Sequence, residues 1–220
     1  MTRLFRVSDG GLVESQRKPL DLEKRIQDWV ERDLSLIGVQ GVLLGREVRT
    51  GHGKRIDILA MDEEGTLFII ELKRASSPRD IVAQVLDYAS WVCKLSTNDI
   101  HEIAQSCRDR PLAEIYREKF GKAPPETLNA THQMIVVASE VDEGTKRIIE
   151  YLSEQHDVGI NASFFSVFGA EGYEWLTTDS LLDQEEVSSS AMSCAIIRAM
   201  PGRRIFIATS RPFGSTAKCT

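Results

Sequence analysis

At 220 residues the chain can hold one well-buried domain with an appendage, and its 42% hydrophobic and 27% charged composition excludes disordered and fibrous classes. No apolar run approaches the roughly 18 residues of a membrane span. The N-terminus lacks the apolar core of a signal peptide, and the four scattered cysteines give neither a disulfide framework nor a zinc site. A cytoplasmic protein with no membrane partner is the expectation. The net charge of −6 argues against a general nucleic-acid coat, but residues 187–220 contain no acid and five cations. The remainder therefore carries roughly −11.

Residues 1–19 are a polar arm around Leu4-Phe5, open between a short strand and no regular structure. From Asp21 to about Leu36, Leu22, Ile26, Trp29, Val30 and Leu34 fall at helical spacing, with Glu23 on the broad side of Ile26 and Val30. Val42 to Val48 reads as a strand. Ile56 to Met61 and Leu67 to Leu72 then form a hairpin about the turn Asp62-Glu63-Glu64-Gly65. Ser77, Pro78 and Asp80 mark a helix start, and the helix runs to about Lys94 with Ile81, Gln84, Val85, Tyr88 and Trp91/Val92 along one stripe. Helices follow over Thr97 to Arg108 and Leu112 to Phe120, the second ended by Gly121 and Pro124-Pro125. Met134 to Ala138 is a buried strand and Asp142 caps a helix to about Gln155. Strands Ile160 to Phe168 and Gly172 to Leu176 close the domain, 20–186; a basic, Ser-rich tail, 187–220, follows, only partly ordered.

The central hairpin holds charges in apolar runs. Alternation places Leu67, Ile69, Glu71 and Lys73 on one face of the second strand, and groups Arg55, Asp57 and Leu59 on the first. A buried charge needs a partner or a cation. Asp57 and Lys73 as a structural ion pair is one reading; Asp57 and Glu71 as ligands of a metal is the other. Gln84 and Tyr88 are polar tips on a stripe that is otherwise core. Residues 44–80 contain seven cations and seven acids, so Arg55, Arg74 and Arg79 are open between phosphate contact and salt bridging. His52, flanked by glycines in a turn, reads as a solvent group.

An Asp followed 14 residues later by Glu-x-Lys on the adjoining strand, in the order helix, three strands, helix, strand, resembles the PD-(D/E)xK nucleases. Within them the chain is similar to the C-terminal nuclease domain of endonuclease NucS and its small prokaryotic relatives. The matching segments are Gly53 to Leu59, Ile70 to Arg74, Pro78 to Val92, Leu128-Asn129, Ala138 to Glu140 and Ile160 to Ala162, and the similarity covers roughly residues 20–180. The resemblance implies an α/β, restriction-endonuclease-like αβββαβ core with a mixed central sheet flanked by helices. It implies Asp57 and Glu71 as metal ligands, Lys73 as the catalytic lysine, Glu23 as a first-helix acid helping to hold the metal, and Gln84 as a polar catalytic-site residue with Tyr88 beside it. Arg55, Arg74, Arg79 and Tyr88 are the expected nucleic-acid contacts.

Two departures stand out. Ile56 occupies the place of the namesake proline, and the separate N-terminal domain with which NucS dimerises and binds DNA has no counterpart here. The expected function is Mg²⁺- or Mn²⁺-dependent endonucleolytic hydrolysis of phosphodiester bonds, in DNA, since carboxylates are hard ligands suited to those cations. The alternative is a nucleic-acid-binding or recruitment module without cleavage. Whether a homodimer or a partner protein is needed is open in the sequence.

Overall fold

The computed structural model describes residues 3–8, 10–18, 23–73, 78–183 and 192–193. Among the described residues nine strands form one sheet: β1 (Leu4–Ser8), β2 (Gly11–Lys18), β3 (Gly41–Arg49), β4 (Arg55–Asp62), β5 (Leu67–Lys73), β6 (Thr131–Ala138), β7 (Ile160–Ala170), β8 (Tyr173–Ser180) and β9 (Met192–Ser193). The helices are α1 (Glu23–Arg32), α2 (Pro78–Val92), α3 (Thr97–Arg108), α4 (Leu112–Phe120) and α5 (Glu143–Glu150). The main path runs β1-β2-β7-β6-β5-β4-β3, with β8 on β7 and β9 on the start of β6. β3, β4 and β5 are antiparallel, whereas β5, β6 and β7 are parallel and joined through helices. This is the restriction-endonuclease-like αβββαβ core, with a mixed sheet between helices and α3 and α4 inserted ahead of β6.

β5 lies between β4 and β6 with a helical layer on each face, so Leu67 through Leu72 are all buried. Its alternation divides the core. Leu67 and Ile69 pack with Val85 and Val92 of α2, while Phe68, Ile70 and Leu72 pack with Ile26 and Val30 of α1. Each such aliphatic side chain contributes about 1.5–3 kcal/mol when fully buried. Glu71 follows the first set toward α2 in a strand that is otherwise apolar.

Asn129 fixes the far end of α2. It is fully buried, adopts a φ of 59°, and its amide donates to the carbonyls of Val92 at 2.8 Å and Leu95 at 3.2 Å. Its own N–H donates to the Gly65 carbonyl in the β4–β5 turn at 2.9 Å. The last carbonyls of a helix lack intrahelical donors, so this one residue ties α2 to the hairpin and sets the position of Gln84 and Tyr88.

The first helix is shorter than its apolar spacing suggests. The Asp33 carboxylate accepts from the Ser35 N–H at 3.0 Å and opens a separate 3₁₀ turn, Leu34–Ile37, so α1 stops at Arg32. Asp142 does cap α5, accepting from Gly144 and Thr145, and the helix loosens into a π turn over Tyr151–Gln155. Within the N-terminal arm, β1 and β2 form a hairpin whose second strand pairs with β7 through Gln16–Gly169 to Lys18–Val167. Of the tail from 187 onward only Met192–Ser193, paired with His132 and Thr131, is among the described residues. Ser77 is outside them also.

Candidate active site

The β4–β5 ladder holds from Met61–Leu67 to Ile58–Ile70 and stops there. Just beyond it, Asp57 Oδ2 accepts the Leu72 N–H at 2.8 Å. Continuing the register sets Asp57 opposite Glu71, and the two carboxylates share one cleft of about 650 Å³ with Lys73, Gln84 and Tyr88. The sheet's alternation and the end of its ladder thus create the site without any special loop.

Glu71 is 2% exposed. Its Oε1 accepts from Lys73 Nζ at 3.0 Å and from Gln84 Nε2 at 2.6 Å. Its Oε2 is buried and has no hydrogen-bond partner among the described residues. Burial, and then the charge of Asp57, push the Glu71 carboxyl up to about 7, against the pull of Lys73. Asp57 is also raised, chiefly by burial, while the Leu72 N–H and the Lys73 charge act in the other direction. Two carboxylates at one place disfavour double ionisation unless a cation joins them.

The structural ion pair weighed for Asp57 takes another form: Lys73 is bonded to Glu71, and Asp57 to the backbone. Gln84 sits on α2 facing the carboxylates. Tyr88, one turn on, is 2% exposed; its hydroxyl donates to the Arg55 carbonyl at 2.6 Å and lies 2.6 Å from Gln84 Nε2. Tyr88 thus lines the cleft with its ring enclosed by the core and its hydroxyl hydrogen-bonded inside the protein. Arg55 lies at the rim, half-exposed, and pairs with Glu47 at 3.2 Å. Arg74 lies outside the described residues. Arg79 is in the first turn of α2 and Glu23 opens α1, but the side chains of both are outside the described set.

Glu47 and Asp80 line the same cleft and were not singled out from the sequence. Glu47 was legible: the β3–β4 pairs Arg46–Ile58 and Val48–Ile56 place it opposite Asp57, and counting back through the Thr50–Gly53 turn finds it. Asp80 read as a helix-start acid, and only the tertiary placement of α2 brings it here.

A divalent cation fits the donor set. The orphaned Glu71 Oε2 and the Asp57 carboxylate are hard oxygen donors, and Mg²⁺ is commonly held by one or two carboxylates with water and phosphate completing its shell. Among the described residues no group of three or more His, Cys, Asp or Glu side chains is gathered where together they could hold a metal ion, so a cation here would rest on the two carboxylates.

An acid pair followed by lysine at the open end of an αβββαβ sheet is the arrangement that the resemblance to the PD-(D/E)xK nucleases leads one to expect. Residues 22–106 match the family model of the endonuclease NucS C-terminal domain. Among solved structures, a repair endonuclease from Pyrococcus abyssi is 18% identical with a TM-score of 0.38, covering 64% of this chain and 46% of that one. An EndoMS–dsDNA2 complex is 22% identical with a TM-score of 0.38, covering 66% and 46%. The chain thus spans less than half the length of either. No curated protein matches. No described helix is long and apolar enough to cross a membrane.

Proposed function

We propose that this chain is a Mg²⁺- or Mn²⁺-dependent nuclease that hydrolyses phosphodiester bonds in DNA. The observation that carries the proposal is the buried Glu71 carboxylate, held on Oε1 by Lys73 and Gln84 with Oε2 left without a partner beside Asp57. The NucS-type match over residues 22–106 supports the choice of DNA. Asp57 and Glu71 would hold the cation, which when bound would supply charge neutralisation at the phosphate and a more acidic water.

The chain's own residues perform the rest. Gln84 fixes the rotation of the Glu71 carboxylate, and Asp57 is fixed by the Leu72 N–H. Lys73, partly exposed at the cleft, would orient the attacking water through Nζ and pass the proton that the water loses on to the oxygen that leaves phosphorus. Arg55 at the rim takes a phosphate, which positions the strand without reading its sequence. The acid-pair site calls for no serine, cysteine or histidine nucleophile.

A binding or recruitment module is the second reading, favoured by the ion pairs already engaging Arg55 with Glu47 and Lys54 with Asp87 at the cleft mouth. Incubating the purified protein with single- and double-stranded DNA and RNA, in Mg²⁺, Mn²⁺ or chelator, separates the two. Cation-dependent DNA cleavage lost in Glu71→Gln supports the nuclease. Cation-independent binding with no cleavage of any substrate leaves the binding module.

A further inference from the structure

Glu47 has features that the Asp57–Glu71–Lys73 constellation does not explain. It adopts a φ of 50°, a left-handed conformation uncommon for a residue with a side chain, in the middle of β3. Such strain persists where the surroundings over-determine it, often at functional sites. The β3 register shifts between Leu43 and Gly45, and from Gly45 onward the pairing puts Glu47 across from Asp57. The side chain lines the Asp57–Glu71 cleft and its charge acts on Asp57.

Its ion-pair partner among the described residues is Arg55, at 3.2 Å, and both side chains are more than half exposed. An ion pair this accessible contributes only about 0–1 kcal/mol and exchanges readily. A DNA phosphate is a strong competitor for the guanidinium, because it offers charge-assisted, bidentate bonds. The sign that a cation belongs in this cleft is the same Glu71 Oε2 atom, buried in a 2%-exposed side chain and without a hydrogen-bond partner among the described residues.

We propose that Glu47 is a further cation-binding residue of this cleft, held back by Arg55 until a substrate phosphate takes the guanidinium. This deepens the nuclease reading and rests on its assignment of a cation to Asp57 and Glu71. Phosphate capture and cation capture are thereby coupled through one exchange: Arg55 leaves Glu47 for phosphate, and the Glu47 carboxylate turns to the cation or its bound water. By linkage, each ligand raises the other's affinity by the same factor.

The test is Mn²⁺ titration by calorimetry on the full chain without DNA, so that no turnover enters the readout. Arg55→Ala releases Glu47 and tightens Mn²⁺ binding, by about 10–100-fold if Glu47 resembles other supporting groups of metal sites, whereas Glu47→Gln alone changes it little because Arg55 still holds the carboxylate in the wild type. In Glu47→Gln/Arg55→Ala the gain from Arg55→Ala disappears. Glu47→Asp keeps the charge but shortens the reach, and combined with Arg55→Ala it also removes the gain. A gain from Arg55→Ala that persists beside Glu47→Gln or Glu47→Asp overturns the proposal by reducing Glu47 to a source of field. Mn²⁺ binding lost in Asp57→Ala but unchanged in Arg55→Ala overturns it while leaving the nuclease reading intact. Wild-type affinity in Asp57→Ala and Glu71→Ala removes the cation site itself, and both readings with it.

Discussion

Gln84 reaches from α2 to donate to Glu71 Oε1 at 2.6 Å, and Tyr88, one helical turn away, stands behind it with its hydroxyl 2.6 Å from the same nitrogen. The relay ends on the Arg55 carbonyl at the start of β4. Three elements are thus joined through two side chains at the point where the β4–β5 ladder has ended. Tyr88→Phe deletes the hydroxyl while keeping the buried ring. Loss of the hydrogen bond lowers stability by about 1 kcal/mol, and Mn²⁺ affinity falls by about 10-fold as Gln84 loses its stop. Chemical denaturation and calorimetry measure the two effects. A variant with unchanged Mn²⁺ affinity would show that Tyr88 is only a core residue.

Protonation of Glu71 makes the cation-free protein sensitive to pH. Its folded-state pKa is pushed up to about 7 from an ordinary value of 4.5. Between those values the folded protein holds a proton that the unfolded chain has released, so stability falls as pH rises through that window. The change is of order 3 kcal/mol, and Asp57, also raised, adds in the same direction. Glu71→Gln cannot ionise. Without metal it should melt above the wild type at pH 8, with a flatter pH dependence between pH 4.5 and 7. Thermal melts in chelator across that range check the sign, and a wild type that gains stability from pH 5 to 8 contradicts it.

The parts of the molecule legible in the sequence are those set by local period and punctuation. Thr97–Arg108 and Leu112–Phe120 are helices with the bounds their spacing gives, and the second ends at Gly121, whose φ is 72°. The faces of β5 follow from alternation alone, which is why Glu71 and Lys73 could be grouped. Less visible was what depends on tertiary partners. Tyr88 has a polar tip on an apolar stripe, and nothing in the spacing says that the Arg55 carbonyl waits for it. Asn129 stood in the matching Leu128-Asn129 segment, but nothing in the spacing said that it anchors α2. Glu47 looked like one acid in a charge-balanced stretch until strand register placed it opposite Asp57. The N-terminal arm, too polar to declare itself by pattern, gains its strands from β7.

Residues 187–220, with five cations and no acid, offer a second source of phosphate affinity on a chain whose remainder is acidic. Truncation after Glu186 removes those charges together with the short β9 pairing on β6. DNA binding should weaken and become less salt-sensitive, the slope of log affinity against log salt falling by up to about 4.5 if every cation meets a phosphate of duplex DNA. Fluorescence anisotropy at graded salt measures the slope. A truncated protein that melts without cooperativity would show instead that the tail completes the core.

Lys73 decides between enzyme and binding module. Its ammonium, about two-fifths exposed, lies 3.0 Å from the nearly buried Glu71 carboxylate. If the pair were purely structural, removing one partner would leave an uncompensated buried charge and cost about 3–5 kcal/mol. Glu71 has another outlet. With its pKa already near neutrality, it takes up a proton when the ammonium is gone, so Lys73→Met should lose little stability in chelator at pH 6. The Met side chain also keeps much of the apolar stem. Mn²⁺ should bind no more weakly than in the wild type, because a competing positive charge has been removed from beside the ligands. Cleavage should nevertheless fall by about 10²–10⁴, the range for losing a positioned proton-transfer group. Single-turnover cleavage in Mn²⁺ and melting in chelator, on the same preparation, give both quantities. Wild-type cleavage by Lys73→Met removes Lys73 from the chemistry. A large loss of stability at pH 6 returns it to the role of structural ion-pair partner.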